Sequence, residues 1–464
     1  MSDTVNHLIK IVEMIKKLFC IIIICFWASV GFGANYNVST GTSTVDGDTF
    51  CGGSACTSSD TIIIEGGSRG SILFRDLDGD GSYITIMNED TNRVVITHST
   101  APGWGVLNFY NCKYIDVRGD NNSSFAWSSG CKSAECYGIL VNNDGSPNTP
   151  TGTVWVYGES DHIKLSYIEV DYITGVSGYA SSGIKVQDPT LTDAWTFDTF
   201  EIHHNYIHDT TYSGMYLGHN RPHDNPGECS VDGSCPYTGN FSIHDNVLED
   251  LGSYGFNLKG SETGSISYIY NNTIRRTGLL NTDPLYTIGI GISYFYGTAY
   301  AEIYNNWIEK TESAGMYIRE ANHLIHHNTI VGCGTNDDTT YGHGISISQW
   351  DYMPDRPDRT VEIYNNVIVE PTRYAIYNDG SEAKTYHYKN IIAECGVGEA
   401  AGIGLTEGTG SDANVYEADA DDLCFTTWSD DSDYSNDDFT LCCAYPYNGS
   451  CADGGLKFQG IKIN

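Results

Sequence analysis

The hexapeptide IYNNTI at 269–274 is one copy of a phrase that recurs along this chain of 464 residues. Every copy has an apolar residue at its first and sixth positions and an asparagine at its fourth. The other copies are IHHNYI at 202–207, IHDNVL at 243–248, IYNNWI at 303–308, IHHNTI at 325–330 and IYNNVI at 363–368, and a shorter version, YKNII, contains Asn390. Repetition of this kind indicates a solenoid of stacked units.

The spacing of the asparagines defines the unit. Successive asparagines lie 41, 26, 34, 22, 38 and 24 residues apart, so the bare unit has about 22 residues and the longer units contain insertions. Such a unit is too short for a pair of helices, and its apolar and polar residues alternate with the period of two that is typical of strands. We therefore predict three short strands per coil. The asparagines should point inward at a turn and hydrogen bond to the asparagine of the next coil, about 4.8 Å away.

A glycine-led strand follows each asparagine phrase, as in YSGMYLG at 212–218 and SAGMYIR at 313–319. The two motifs together resemble the right-handed parallel β-helix superfamily of pectate-lyase-like proteins, polygalacturonase-like hydrolases, and carbohydrate-binding and sugar-hydrolysis repeats. The resemblance covers about residues 60–395. It implies an all-β fold, a single-stranded right-handed parallel β-helix with an internal Asn ladder and loop insertions on one face. Such repeats specify a fold rather than a function.

Three segments are expected along the chain. Residues 1–33 are predicted to be an over-long start and a secretion signal peptide. The signal consists of the basic MIKK, the apolar LFCIIIICFW and the small residues ASVGFGA, with cleavage after Gly33 or Ala34. Residues 34–400 form the β-helix, and residues 401–464 form an acidic, cysteine-rich C-terminal capping segment. The protein is therefore expected to be extracellular or periplasmic, with no membrane segment after signal removal.

The composition limits the partners. The net charge is −35, and loss of residues 1–33 with three basic and two acidic side chains makes it about −36. This charge disfavours nucleic acid and polyuronate partners except where a basic cluster intervenes locally. We expect a monomer that binds a polysaccharide.

Thirteen cysteines follow the signal segment, which suits an oxidising compartment. Three sequence-adjacent pairs are interpreted as small disulfide loops: Cys51 with Cys56, Cys131 with Cys136, and Cys229 with Cys235. Cys333 and Cys395 each lie five residues after a ladder asparagine and are expected to be buried thiols.

The outward side chains of the glycine-led strands should align in two columns. The first column is predicted to contain Leu140, Lys185, Tyr216, Asn257, Tyr317, Ser346 and Tyr377, and the second Asn142, Gln187, Gly218, Lys259, Arg319, Ser348 and Asp379. The register of IGIGISY at 288–294 stays open. Insertions flank this strand at 143–160, 187–199, 219–240, 278–287, 335–341 and 349–360, which predicts a groove above it.

Tyrosines and cations on a flat sheet suit sugar rings, which stack on aromatic faces and accept hydrogen bonds from cations. The predicted substrate-binding residues are Lys185, Tyr216, Asn257, Tyr377, Asp379 and Trp350. The predicted catalytic residues are Lys259, Arg319, His343, Tyr317 and Glu320. Lys259 and Arg319, about 10 Å apart with one coil between them, would serve a β-elimination.

Hydrolysis is the alternative chemistry. The string GHGISIS resembles the Gly-His-Gly motif of polygalacturonase-like hydrolases, and His343 matches the histidine of that motif. Those enzymes place acidic residues ahead of the same strand, where this chain has Ser182, Ser213, Tyr254 and Ala314. An inverting hydrolase needs two carboxylates roughly 6.5–9.5 Å apart, and no pair is visible in the columns. Glu320, Asp351 and Asp379 could supply one from the rims.

Two further patterns concern metals. DLDGDGS places Asp76, Asp78 and Asp80 at alternate positions, which resembles the first half of an EF-hand-type loop and predicts a structural Ca²⁺ site, with an acidic turn as the alternative. Histidines recur in the asparagine phrases, but tyrosines fill the same column in other coils. This favours stacking of rings on the surface over metal binding.

Three functions therefore remain. The first is a secreted polysaccharide-active enzyme, a lyase or a glycosidase, that cleaves a glycan in the groove. The second is a non-catalytic glycan-binding or adhesive extracellular surface protein that uses the same tyrosines. The third is a scaffold whose acidity serves solubility or cation retention.

Overall fold

In the computed structural model, this protein consists mainly of three long sheets of parallel strands. The structure describes residues 33–417 and two later strands, with gaps at 91, 98–104, 121–136, 143–152, 172–181, 188–195, 219–236, 262–263, 281–286, 294, 296–297, 320–321, 336–340, 349–359, 380–383, 403–404 and 410–412. After the first coil, which has strands only in the first and third sheets, the chain visits the first, second and third sheet in turn, so that each complete coil contributes one strand to each sheet. The strands are numbered in chain order.

The first sheet has thirteen strands in the described residues: β1 (Asn35–Val38), β3 (Thr61–Ile64), β6 (Ile84–Asn88), β9 (Lys113–Arg118), β12 (Asp161–Ser166), β16 (Phe200–His203), β20 (Phe241–His244), β23 (Ile266–Tyr270), β26 (Tyr300–Tyr304), β29 (His323–His326), β32 (Thr360–Tyr364), β35 (Lys384–Tyr388) and β38 (Leu405–Glu407).

The second sheet has twelve described strands: β4 (Gly67–Arg69), β7 (Val94–Thr97), β10 (Ile139–Asn142), β13 (Ile168–Asp171), β17 (Tyr206–His208), β21 (Val247–Leu251), β24 (Thr273–Thr277), β27 (Trp307–Thr311), β30 (Thr329–Val331), β33 (Val367–Val369), β36 (Ile391–Ala393) and β39 (Val415–Glu417).

The third sheet also has twelve described strands: β2 (Thr44–Asp46), β5 (Ile72–Arg75), β8 (Leu107–Tyr110), β11 (Val154–Tyr157), β14 (Ile184–Val186), β18 (Met215–Leu217), β22 (Phe256–Lys259), β25 (Ile290–Ser293), β28 (Met316–Arg319), β31 (Ile345–Ser348), β34 (Tyr374–Asn378) and β37 (Gly398–Gly402). Two short pairs lie outside the three sheets: β15 (Thr196–Phe197) with β19 (Tyr237–Thr238), and β40 (Phe425–Thr427) with β41 (Asp438–Leu441).

This architecture is a right-handed parallel β-helix, as predicted. The strands run parallel in register from coil to coil, and the three sheets continue to Glu417. The predicted limit of the β-helix at residue 400 stays a prediction. No helix in the described part of the chain is long and apolar enough to cross a membrane.

The predicted Asn ladder is confirmed, and it is one rung longer than predicted. Side-chain amide Nδ2 atoms donate to the Oδ1 of the next rung at 2.9–3.0 Å, through Asn205, Asn246, Asn272, Asn306, Asn328, Asn366, Asn390 and Asn414. The same Oδ1 atoms accept the backbone N–H of the preceding rung, as between Asn306 N and Asn328 Oδ1 at 3.0 Å. Each rung therefore satisfies backbone and side-chain groups that are buried inside the solenoid.

The residue before each of the first seven ladder asparagines has a left-handed backbone. The φ angles lie between 53° and 56° at His204, Asp245, Asn271, Asn305, His327, Asn365 and Lys389. Histidine, aspartate and asparagine tolerate this conformation better than most residues. The polar third position of the phrase is therefore a requirement of the turn.

The last described rung differs from the others in its partners. Asn414 Nδ2 has its hydrogen-bond partners nearby, with His387 Nδ1 at 2.8 Å, Glu407 Oε1 at 3.1 Å and Tyr416 Oη at 3.1 Å. A local network of side chains thus holds the last described rung.

The core lies in the space between the three sheets. Inward positions of most strands are isoleucine, valine, leucine or phenylalanine with almost no exposed surface. Identical or similar side chains stack between coils, as with Phe200 and Phe241, whose ring centroids are 4.9 Å apart. The buried columns fix the register of strand pairing between coils, because a slip of one residue would turn the apolar side chains of a strand toward solvent.

One strand assignment from the sequence was wrong. Leu140 and Asn142 belong to β10 of the second sheet, and β11, inside the supposed insertion at 143–160, is the third-sheet strand of that coil. The misleading cue was Gly138, which precedes β10. A Cβ at Gly138 would approach Asn88 Cγ to 2.5 Å, so this glycine serves a close approach between coils rather than a corner before the third sheet.

Four of the eight cysteines with a predicted role lie in the described part of the chain. Cys51 and Cys56 form the predicted disulfide, with an S–S distance of 2.09 Å. Cys131, Cys136, Cys229 and Cys235 lie outside the described residues. Cys333 is a buried free thiol as predicted, whereas Cys395 is free and only partly buried.

The ladder generates a stability prediction. Asn306→Ala removes the amide that donates to Ile269 O, Tyr304 O and Asn328 Oδ1, and it leaves the Asn272 N–H without its acceptor. Buried groups that lose their partners cost about 1–3 kcal/mol each, so the free energy of unfolding should fall by roughly 3 kcal/mol or more. Urea unfolding measures this. The matched control is Asn37→Ala on the exposed face of β1, which should change stability by less than about 0.5 kcal/mol. Equal effects of the two substitutions would contradict the stabilising role of the ladder.

A row of alternating charges crosses the second sheet. Asp171, His208, Glu249, Arg275 and Glu309 pair in register on successive strands, and the last three are almost fully buried. Burial favours the neutral ring of His208, but hydrogen bonds to Glu169 and Asp209 and the charge of Asp171 outweigh it and raise the pKa of His208 to about 9. The histidine is therefore a cation at neutral pH.

The raised pKa of His208 predicts a pH dependence of stability. A group whose folded pKa exceeds its unfolded value stabilises the fold fully below about pH 6.5, and this contribution disappears as the pH rises through about 9. The difference in unfolding free energy between the wild type and His208→Asn should therefore be largest at about pH 6 and smaller by up to about 3 kcal/mol at about pH 10. Urea unfolding across this range measures the difference. A pH-independent difference would show that His208 is neutral in the folded protein.

Candidate functional site

The outer face of the third sheet contains the column that the sequence predicted. Pairing is in register from residue to residue, and the structure extends the column at its start and fills the open position with Gly291. We call these side chains the groove floor: Trp155, Lys185, Tyr216, Asn257, Gly291, Tyr317, Ser346 and Tyr377, with Lys259, Ser293, Arg319 and Ser348 in the second column.

At the start of the groove floor, aromatic rings alternate with lysines. Lys185 Nζ lies 4.8 Å from the ring centroid of Trp155 and 5.9 Å from that of Tyr216. Trp155 is oriented by its Nε1–H, which donates to Gln187 O at 2.8 Å. Burial lowers the pKa of Lys185 to about 8. The amine is therefore less firmly protonated than a lysine in water, and its stem packs against two faces on which sugars can stack.

Lys259 lies deeper in the groove floor, with 9% of its surface exposed. Its Nζ lies 4.7 Å from the ring centroid of Tyr216 and 3.3 Å from the Oη of the same residue, to which it donates. Burial and, secondarily, the positive charge of Arg319 lower the pKa of Lys259 to about 7. A large fraction of this amine is unprotonated at neutral pH, so it can accept a proton.

Arg319 lies two coils from Lys259, as predicted, with β25 between them. Lys259 pairs with Ser293 of β25, and Arg319 pairs with Ser348 of β31. The guanidinium lies 4.8 Å from the ring centroid of Tyr317, and its Nη2 is 3.5 Å from the Tyr317 Oη. Arg319 is partly exposed, and its guanidinium is a planar fork of donors of the kind that binds carboxylates.

Gly291 opens a notch between these residues. A Cβ at Gly291 would lie 3.3 Å from Asn257 Oδ1 and 3.4 Å from Tyr254 Cε1, so the missing side chain leaves a space beside both. Asn257 is 3% exposed, and its Oδ1 is a buried acceptor without a hydrogen-bond partner. A buried acceptor of this kind is expected to bind a donor such as a hydroxyl group.

His343 lies one coil beyond Arg319, just before β31, which pairs with the strand of Arg319. Its ring is 1% exposed and stacks on Tyr377 at 4.3 Å and on Tyr374 at 5.8 Å, with all three planes nearly parallel. His343 O accepts the N–H of Gly315, which places the residue beside Ala314. These ring contacts join His343 to the following coil, and its place beside Arg319 in the reaction stays a prediction.

Several predicted features lie outside the described residues. These are Glu320, Trp350, Asp351 and most of the insertions that were expected to wall the groove. Asp379 is the one carboxylate among the described residues of the two columns. The described part of the chain therefore contains no carboxylate pair on the groove floor.

The Asp76 turn has the features of an acidic turn. Asp78 Oδ1 accepts the N–H of Asp80 at 2.8 Å, and Asp76 Oδ1 accepts from Asn111 Nδ2 at 3.3 Å. In the described residues, these three aspartates are not among the groups whose ligand atoms converge within 4.8 Å. The calcium site was predicted because Ca²⁺ prefers carboxylate ligands, and it stays a prediction.

The histidines of the asparagine phrases stack as predicted. One continuous row of rings runs along the first sheet, with neighbouring centroids 4.6–5.3 Å apart, through His203, His244, Tyr270, Tyr304, His326, Tyr364 and Tyr388.

Sequence reasoning missed three groove residues, namely Trp155, Gly291 and Ser293. Trp155 was hidden by the wrong strand assignment, although its TVWVY segment has the alternation of the other third-sheet strands. Gly291 and Ser293 lie in IGIGISY, where two glycines two residues apart permitted two registers. Pairing of Asn257 with Gly291 settles the choice.

Comparison with known proteins supports the fold. Residues 198–392 match the family model described as right handed beta helix region. No curated protein matches the chain in sequence.

Solved structures with a similar fold include three carbohydrate enzymes. An alginate lyase from Paenibacillus sp. str. FPU-7 is 10% identical with a TM-score of 0.35, covering 80% of this chain and 99% of that one. The mannuronan C-5 epimerase AlgE6 A-module of Azotobacter vinelandii is 12% identical with a TM-score of 0.40, covering 77% and 91%. A GH136 lacto-N-biosidase from Eubacterium ramulus is 12% identical with a TM-score of 0.46, covering 83% and 68%. Nothing about the activity of this chain follows from likenesses at this level.

Proposed function

We propose that this protein is a secreted polysaccharide-active protein whose groove floor binds an acidic glycan and cleaves it by β-elimination. The observation that carries this proposal is Lys259, a buried amine with a pKa of about 7 that contacts the Tyr216 hydroxyl and faces the charge of Arg319. The protein as a whole is strongly acidic, but the described groove floor has three cations, Lys185, Lys259 and Arg319. Such a local cluster can attract an anionic chain that the rest of the surface repels.

The reaction assigns one role to each group. Arg319 pairs with the carboxylate of a uronate ring and so acidifies the proton on the adjacent carbon. Lys259 Nζ takes that proton, the electron pair forms a carbon–carbon double bond, and the glycosidic C–O bond breaks. The departing oxygen takes a proton from Tyr216 Oη, and the Lys259 ammonium, 3.3 Å away, returns its proton to Tyr216. The net result is transfer of one proton from carbon to the leaving oxygen.

The rest of the groove floor would hold the sugar chain. Trp155, Tyr216 and Tyr317 offer ring faces for stacking, and the Gly291 notch with Asn257 Oδ1 offers an acceptor for a sugar hydroxyl. The stacked rings of His343, Tyr374 and Tyr377 extend this surface. The same features favour a second candidate function, a non-catalytic glycan-binding protein.

Substitution of the cations separates the two functions. Incubation with polygalacturonate or alginate should produce the ultraviolet absorbance of an unsaturated uronate. Lys259→Ala should lower kcat about 10²- to 10⁴-fold, because it removes the base. Arg319→Ala should lower kcat/KM roughly 10- to 100-fold, because it removes a charged hydrogen bond to the carboxylate.

The matched control is Lys384→Ala, which removes an exposed lysine of β35 on the first sheet and should leave the rate unchanged. A neutral glucan should give no absorbance with any variant. Glycan binding without new absorbance in the wild type would contradict the lyase and support the glycan-binding function.

The lysine base also predicts a pH profile. Lys259 acts only when unprotonated, so kcat/KM should rise with pH through about 7 and level off above it. Initial rates at constant ionic strength from about pH 5.5 to about pH 9 measure the profile. A profile that falls over this interval would assign the base to another group.

A further inference from the structure

A second cluster of polar side chains lies away from the groove floor, at the turn between the first and second sheets. His204 and Asp245 occupy equivalent positions in successive coils, each directly before a ladder asparagine, with left-handed φ angles of 56° and 53°. His244 adjoins Asp245 at the end of β20. One potential ligand atom from each of the three residues lies within 4.8 Å of the others.

The rings of this cluster are held in place by stacking. His204 stacks on Tyr167 with centroids 5.1 Å apart, and His244 stacks between His203 at 4.9 Å and Tyr270 at 4.6 Å. His244 is 9% exposed, so its rotamer is fixed by the neighbouring coils. Ligands that are ordered before binding lose little conformational entropy on binding.

The hydrogen-bond partners of His244 also suit a histidine that binds a metal ion. Its Nδ1 faces Asp245 Oδ2 at 2.8 Å, and its Nε2 faces Glu201 Oε1 at 3.5 Å. A histidine that binds a metal through one nitrogen almost always donates from the other to a carboxylate, carbonyl or water, which sets the tautomer and raises the basicity of the ligand. Glu201 is placed to be that acceptor while Nδ1 binds the ion together with Asp245.

We propose that His204, His244 and Asp245 bind one divalent transition-metal ion such as Zn²⁺. Two imidazoles and one carboxylate form a donor set that zinc accepts, with a fourth position left for water. The ion would join two consecutive coils at the turn that precedes the ladder.

The chain contains an internal comparison for this site. His326 and His327 repeat the His203–His204 pair, with Nδ1 atoms 2.8 Å apart against 2.7 Å. The following coil there has Tyr364 and Asn365 in the places of His244 and Asp245. Asn365 Nδ2 lies 3.4 Å from His327 Nε2, so that turn has an amide where the first has a carboxylate. The second turn therefore has the same backbone and stacked rings without three ligands.

A second converging group in the described residues, Asp171, His208 and Asp209, offers a single imidazole. Its histidine belongs to the row of alternating charges described above. Nitrogen donors favour zinc over harder cations, so the turn with two histidines is the better zinc site.

The internal comparison supplies the decisive variant. His244→Tyr combined with Asp245→Asn gives the first turn the residues of the second, which keeps a ring in the stack and a residue that tolerates the left-handed turn. The tag-free full chain, freed of metal by a chelator, is titrated with ZnCl₂ by calorimetry. The wild type should bind one ion at this site, and the double variant should lose that ion or bind it at least tenfold more weakly.

The matched control is His326→Tyr, which makes the same histidine-to-tyrosine change in the turn without three ligands and should leave zinc binding unchanged. Co²⁺ gives a second readout, because its visible absorption band reports tetrahedral coordination and should be absent from the double variant. If the double variant does not fold by circular dichroism, Asp245→Asn alone decides the question. Equal zinc binding by the wild type and the double variant, or an equal loss in His326→Tyr, would overturn the proposal.

Discussion

Amide hydrogen bonding between successive asparagines is the constraint on which this structure depends. Each ladder asparagine between the first and the last described rung accepts the backbone N–H of the preceding rung and donates to the next rung and to the backbone of the preceding coil. Asn306 does so with Asn272, Asn328 and Ile269 respectively. A buried turn without these bonds would leave several polar groups unsatisfied in every coil. The same bonds fix the rotation of each coil about the axis, and this rotation decides which side chains share a column on the third sheet.

The groove floor is rich in cations, whereas the protein as a whole is strongly acidic. The chain carries a large negative charge, yet Lys185 and Lys259 lie on aromatic faces where burial, rather than a partner carboxylate, dominates their pKa values. Burial makes a lysine a weaker cation and a better base, whereas Arg319 keeps its charge in any surroundings. A proton acceptor and a permanent cation thus lie two coils apart on one surface. The floor is rigid because each of its strands is paired on both sides.

Much of the fold could be predicted from the sequence, because the ladder phrase encodes a turn with strict requirements. Its apolar ends, its left-handed third residue and its inward asparagine follow from local physics, and the columns from Lys185 onward follow from the period of the strand. Trp155 and Gly291 could not be placed in the same way. A glycine can precede a strand for several steric reasons, as Gly138 does, and only pairing between coils distinguishes them. Burial of Lys259 and the contacts of His343 also depend on neighbouring coils that are distant in sequence.

The last described rung of the ladder differs from the others in the groups that accept from its amide. Every rung up to Asn390 presents its Nδ2 to a following asparagine, so an unfilled last rung would be a template for another coil or another molecule, as any open sheet edge is. At Asn414 this donor already has partners in Glu407, His387 and Tyr416. The final described rung therefore offers a neighbouring molecule no vacant amide to match. In the described part of the chain, side chains of the same molecule thus take the place at the last rung that a further asparagine would occupy.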